Sequence, residues 1–158
     1  MSKSLNVGRD FGLASAVITT LGLMIGLESS TSSKIAVIGG ILTIAVADAF
    51  SDALGIHIAK ESEGNFSTKE VWQATISTFV FKAIFACSFL IPVLFLPLST
   101  SIYAAIAWGL TILIIQSYCL AKSQGGKPWR IIREHLLIAI IVILITHFTG
   151  LGIAQLFN

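Results

Sequence analysis

Five apolar runs, each long enough to cross a lipid bilayer, constrain this chain more than any other feature. They lie at Phe11–Leu27, Ile35–Ala59, Trp72–Leu96, Ile102–Leu120 and Ile131–Phe157. Each supplies the roughly 17 to 25 residues that cross a hydrocarbon core of about 30 Å. A composition of 55% hydrophobic and 11% charged residues, with a mean hydropathy of +0.90, departs from the averages of water-soluble domains in both directions. The expectation is an all-α polytopic membrane protein, one five-helix transmembrane domain over residues 1–158, with a short cytoplasmic connection at 60–71. The first run has the basic flank of a signal peptide but no small-residue cleavage site, and predicts a retained span.

The charges predict an orientation. With the N-terminus inside, Lys3, Arg9, Lys60, Lys69, Lys122, Lys127, Arg130 and Arg133 fall in cytoplasmic segments, and only Lys34 falls outside. Trp72 and Trp129 stand near the inner ends of the third and fifth spans, as interfacial aromatics do. The sequon at Asn65 falls on the cytoplasmic side, out of reach of glycosylation. Pro92 and Pro97 bracket the connection between the third and fourth spans and predict helix termination there. A net charge of +2 without a basic stripe or aromatic platform argues against nucleic acid as a partner. Small size and the lack of an organelle-targeting extension point to a prokaryotic plasma membrane, with an organelle membrane as the alternative.

Against this apolar background, Asp48 and Asp52 demand an explanation. Asp48 lies 14 residues after Lys34, roughly 21 Å along the second helix, and Asp52 follows one turn later on the same face. Acids within a membrane face a bundle interior or a water-filled cavity, because exposure to lipid costs several kcal/mol. Two readings follow. In one, the carboxylates receive a cation and exchange protons. Oxygen donors suit Mn2+, Mg2+ and, less selectively, Fe2+, and neighbouring acids that repel one another link metal affinity to pH. In the other, Asp48 forms a structural ion pair with Lys82, which sits at comparable depth in the third span. Asp52, nearer the inner interface, is either a second ligand or a hydrated boundary acid.

Other polar residues have packing and path readings side by side. Ser15, Thr19 and Thr20, then Thr75, Ser77 and Thr78, then Gln116 and Ser117, either line an aqueous path or hold helices together. His57 and His147 are candidates for a proton path; His135 reads as interfacial. Glu61, Glu63 and Glu70 form an acidic group at the inner connection that either collects cations or is simply solvated, and Glu28, near the outer mouth, is either a solvated boundary acid or an exit-path ligand. Met24, Cys87 and Cys119 read as packing residues rather than ligands.

The segments "FGLASAVITTLGLMIG", Phe11 to Gly26, and "GILTIAVADAFSDALGIHIAKESE", Gly40 to Glu63, together resemble the first two spans of the VIT1/CCC1 family of vacuolar iron and manganese transporters. The family patterns read F-G-x-x-D-G-[LIV]-[VIT]-[ST]-T and G-A-L-S-M-A-x-G-E-Y. The likeness covers about a third of the chain in pattern and nearly all of it in organisation. It implies a homodimer that exports divalent metal, Mn2+ or Fe2+, from the cytosol against protons, with Asp48 at the position of the second-span glutamate. Ser15 stands where the family has its first-span aspartate, Ala16 where it has the following glycine, and Ile44 where it has a methionine. The family's long cytoplasmic extension shrinks here to "KESEGNFSTKEV".

The leading expectation is therefore a proton-coupled divalent cation transporter with metal contacts at Asp48, Asp52 and Ser15, the metal being substrate and no cofactor being required. The alternative is a non-transporting assembly or regulatory subunit held by an Asp48–Lys82 pair. An enzyme is disfavoured: no nucleophile–base arrangement, cofactor loop or HExxH motif is present, and the three histidines lack matched positions for haem.

Overall fold

A computed structural model describes residues 3–157, with side chains from 4 to 157. The side chain of Lys3, one of the cations counted above, lies outside the described residues. Regular structure among them is entirely helical: α1 (Lys3–Thr31), α2 (Lys34–Thr43), a π-helical segment (Ile44–Asp48), α3 (Ala49–Ser62), α4 (Thr68–Ser88), α5 (Leu90–Phe95), α6 (Leu98–Ser123) and α7 (Pro128–Phe157). The α2–π–α3 run is one span and α4–α5 another, giving five helices long and apolar enough to cross a membrane. Helix is the outcome because hydrocarbon offers no partner to backbone N–H and C=O groups, which must then bond within the segment.

The connections carry ordinary stop and start chemistry. Ser67 opens α4 with a capping box: its hydroxyl accepts from the Glu70 N–H, and the Glu70 carboxylate accepts from the Ser67 N–H at 2.9 Å. Between the second and third spans, residues 63–67 lie outside helix. Gly64 and Gly125 take the left-handed conformation at φ 69° and 68° that closes α3 and α6. Lys34, the exception to the charge bias, donates from Nζ to the carbonyls of Leu94 at 3.3 Å and Leu96 at 3.1 Å. Its charge serves the otherwise orphaned end of α5.

Pro92 does more than mark a terminus. It has no N–H to offer the carbonyl of Ser88 four residues earlier, and the third span breaks at Phe89 before resuming as α5. The expected clean stop is therefore a one-residue break in the helix, followed by the true end at Leu96–Pro97.

α1 is the central post, packed chiefly against α4 and α7 and also against α6 and α2. Its approach to α4 is set by glycine. A Cβ at Gly12 would stand 2.5 Å from the carbonyl oxygen of Thr78, and one at Gly8 would collide with the carbonyl of Ala74. Ser77 and Thr78 reach back across that seam to the carbonyls of Leu5 and Gly8, at 2.9 and 3.2 Å. Small residues and hydroxyl bonds are what bring helices together where lipid is as apolar as leucine. Farther along the bundle, Val17, Leu21, Met24, Val37, Ile41 and Phe89 form a dry core, which gives Met24 the packing role expected. Cys87 and Cys119 are free thiols but exposed rather than packed in the interior. They lie on outer helix faces, where a small apolar side chain meets hydrocarbon as readily as protein.

Gly12→Val should destabilise the α1–α4 seam by about 1–3 kcal/mol, read as a lower thermal midpoint in detergent. Gly39→Ala, whose added methyl meets nothing within 4 Å, should leave the midpoint unchanged.

Candidate functional site

The second span changes its winding just before its acids. The N–H of Ala49 bonds to the carbonyl of Ile44 five residues back, the widened turn that defines a π segment. Asp48 ends that segment, and Asp52 follows one α-helical turn later. Buried Ala45, Ala49 and Ala53 keep this stretch slim where it meets its neighbours.

Both acids converge on Lys82 of α4. The Lys82 ammonium is fully enclosed, with side-chain exposure of 0%, and its Nζ lies 2.5 Å from Asp48 Oδ2 and 2.5 Å from Asp52 Oδ2. It also donates to Ser15 Oγ of α1 at 3.0 Å. Three spans thus meet at one nitrogen. An ammonium in low dielectric is tolerable only with such partners, since stripping it of water costs several kcal/mol that ion pairing must offset.

The two carboxylates are not equivalent. Asp52 accepts a hydrogen bond from Nζ, whereas Asp48 Oδ2, though equally close, has no aligned hydrogen-bond donor. Asp48 is also the more open of the two, with side-chain exposure of 34% against 19% for Asp52. Asp52 is thus the better sheltered and better bonded acid, and Asp48 the more exposed one. With two carboxylates and one ammonium ionised the triad carries one net negative charge, which a proton or a bound cation would neutralise.

The remaining candidates lie elsewhere. His57 Nδ1 pairs with Thr75 Oγ1 at 2.9 Å, and Thr75 donates its own hydrogen to the carbonyl of Val71, so the histidine nitrogen is the donor. Its Nε2 stands 3.5 Å from Glu61 and forms an ion pair when the ring is charged. Glu63 is an exposed acid at the helix end, and the Glu70 carboxylate is committed to the Ser67 cap. His147 bonds Ser29 at 2.7 Å, between α7 and α1. His135 bonds Ser117 at 2.7 Å, and Ser117 donates to the carbonyl of Leu113. None of these residues reaches the triad. The hydroxyls at Thr19, Thr75, Thr78 and Ser117 bond to backbone carbonyls, which is the packing reading.

Of the residues proposed to contact metal, Asp48, Asp52 and Ser15 are brought together. Among the described residues no group of three or more His, Cys, Asp or Glu side chains has the arrangement of a metal site. Two carboxylates and a hydroxyl surround an ammonium instead. Ser15 also lines a cavity of about 330 Å³ between α1, α6 and α7 that has His135 on its wall, so the triad has a hollow on one flank. The sequence pattern pointed to a pairing of Lys82 with Asp48; what it missed was that Asp52 and Ser15 share the same nitrogen. The chain matches no protein-family model, and no curated protein matches it.

Lys82→Met should cost up to about 3–5 kcal/mol by leaving the sheltered Asp52 and, less severely, the part-exposed Asp48 without their cation, seen as a drop in thermal midpoint. Adding Asp48→Asn and Asp52→Asn to Lys82→Met should recover most of that loss.

Proposed function

We propose that this protein is a proton-coupled cation exchanger of the membrane, in which Asp48 and Asp52 hold either the Lys82 ammonium or a transported divalent cation. The observation that carries the reading is a site already built around a positive charge: a fully buried ammonium lies 2.5 Å from each of two intramembrane carboxylates. Such groups are costly in a bilayer, and their usual uses are ion pathways and proton relays. The hard oxygen donors favour Mn2+, Mg2+ or Fe2+ over softer ions.

In this mechanism a cation from the cytoplasm passes Asp52, which is already bonded to the ammonium, and is received by Asp48, the more open carboxylate with no aligned donor. Asp52 joins as the ammonium withdraws toward Ser15, and the proton that neutralises the empty triad, held on one of the two carboxylates, leaves as the cation enters. Export requires that the apolar core around Leu21, Met24, Ile41 and Phe89 part on the far side. The N-terminus is cytoplasmic in this scheme, in keeping with the distribution of Lys and Arg. A homodimer suits it too, since a partly open carboxylate within the membrane needs cover from protein or water.

A second reading keeps the triad structural. Complete enclosure of Lys82 favours it, because three spans anchored on one nitrogen fix helix register whether or not anything passes.

Reconstituted protein should show Mn2+ uptake coupled to proton counterflow under an imposed pH gradient. Asp48→Asn should abolish it, and Asp52→Asn should lower it by about tenfold or more, the equivalent of one lost charged contact. Absence of flux for Mn2+, Fe2+, Co2+ and Zn2+ in either gradient direction, with folded protein in the vesicles, would leave the structural reading.

A further inference from the structure

Away from the triad, a cavity of about 340 Å³ runs between α1, α4 and α6. Its two ends differ in chemistry. At one end stand Arg9, Asp10 and Gln116; Leu13, Phe85 and Trp108 line the rest. From Gln116 to Trp108 is eight residues of α6, about 12 Å, which suits a length of acyl chain better than a compact solute.

The polar end is built but incomplete. Arg9 and Asp10 form an ion pair at 2.8 Å. Gln116, 93% buried by its 7% exposure, donates from Nε2 to the carbonyl of Asp10. That bond fixes the orientation of the amide, and it leaves Gln116 Oε1 buried with no hydrogen-bond partner. A buried carbonyl oxygen without a donor is a standing cost that a ligand N–H or O–H removes. Arg9 and Asp10 together present one charge of each sign beside it, both partly exposed.

We propose that this cleft binds one phospholipid with a primary-amine headgroup: the phosphate on Arg9, the ammonium between Asp10 and Gln116 Oε1, and an acyl chain along Leu13, Phe85 and Trp108. A zwitterion complements the Arg9–Asp10 pair without leaving excess charge. A primary ammonium brings three N–H donors, whereas the trimethylammonium of a choline headgroup brings none, so the orphaned carbonyl selects between them. Guanidinium suits phosphate through paired, charge-assisted hydrogen bonds. Trp108 and Ile115 are 45% and 59% exposed, so the cleft opens sideways, toward hydrocarbon in a membrane-spanning bundle.

The test is native mass spectrometry of the full chain in mild detergent, offered equal amounts of phosphatidylethanolamine and phosphatidylcholine. The wild type should retain the ethanolamine lipid over the choline lipid by about tenfold, the worth of one hydrogen bond to a charged group. Gln116→Leu should erase that preference. Arg9→Gln should lower retention of both lipids, and Ile115→Trp, at an exposed position on the wall, should obstruct the cleft and do the same. Equal retention of the two lipids by the wild type would overturn the proposal, as would an ethanolamine adduct undiminished in both Arg9→Gln and Ile115→Trp. Should Gln116→Leu fail to fold, the wild-type preference and the two exposed-site variants decide the matter alone.

Discussion

An ammonium held out of water must be surrounded by oxygen, and that requirement organises this bundle. Lys82 draws Asp48 and Asp52 from the second span and Ser15 from the first onto a single nitrogen. The approach of α3 to α4 depends on it, since removing the charge would leave two carboxylates facing each other in low dielectric. It also fixes which faces of the first three spans point inward. The fourth and fifth spans contribute nothing charged to this centre and attach through apolar contacts and hydroxyl bonds, among them Ser117 to His135 and Ser29 to His147.

Around the triad, packing divides by height. Toward the end that carries the chain's charged connections, α1 and α4 meet through Gly8 and Gly12, close enough that a methyl would strike backbone. Beyond the triad the interior is closed by large apolar side chains from Val17 to Phe89. The ion centre therefore lies at the border between a polar, glycine-tightened half and a dry half. Transport by this protein would need the dry half to rearrange; a purely structural triad would not. The π segment that ends at Asp48 is the natural place for such movement, because its hydrogen bonds already depart from the α-helical register.

Much of this was legible in the sequence and some of it could not have been. Runs of apolar residues fix where spans lie, although α1 extends well before Phe11 to Lys3 because helical bonding continues through residues that suit the interface. The i, i+4 spacing placed Asp48 and Asp52 on one face without any knowledge of a partner. Comparable depth suggested Lys82 for Asp48 and gave no reason to expect Asp52 at the same nitrogen. A π turn has no compositional signature in Ile44–Asp48: it is a slip of hydrogen-bond register, decided by what the neighbouring helices allow. Gln116 reaching the backbone of Asp10 joins residues 106 positions apart, and no periodicity within either helix predicts it. Pro92 was visible as a breaker, but whether a span stops or resumes at such a residue depends on whether the helix finds packing on the other side.

The central claim is that Asp48 and Asp52 hold Lys82 or a divalent cation, but not both at full strength. Electron paramagnetic resonance titration of Mn2+ into folded, detergent-solubilised wild type and Lys82→Met tests it directly. The account predicts that Lys82→Met binds Mn2+ more tightly by about tenfold or more, since a competing charge-assisted contact has been removed. Equal or weaker Mn2+ binding by folded Lys82→Met would contradict it and leave the triad as a structural anchor.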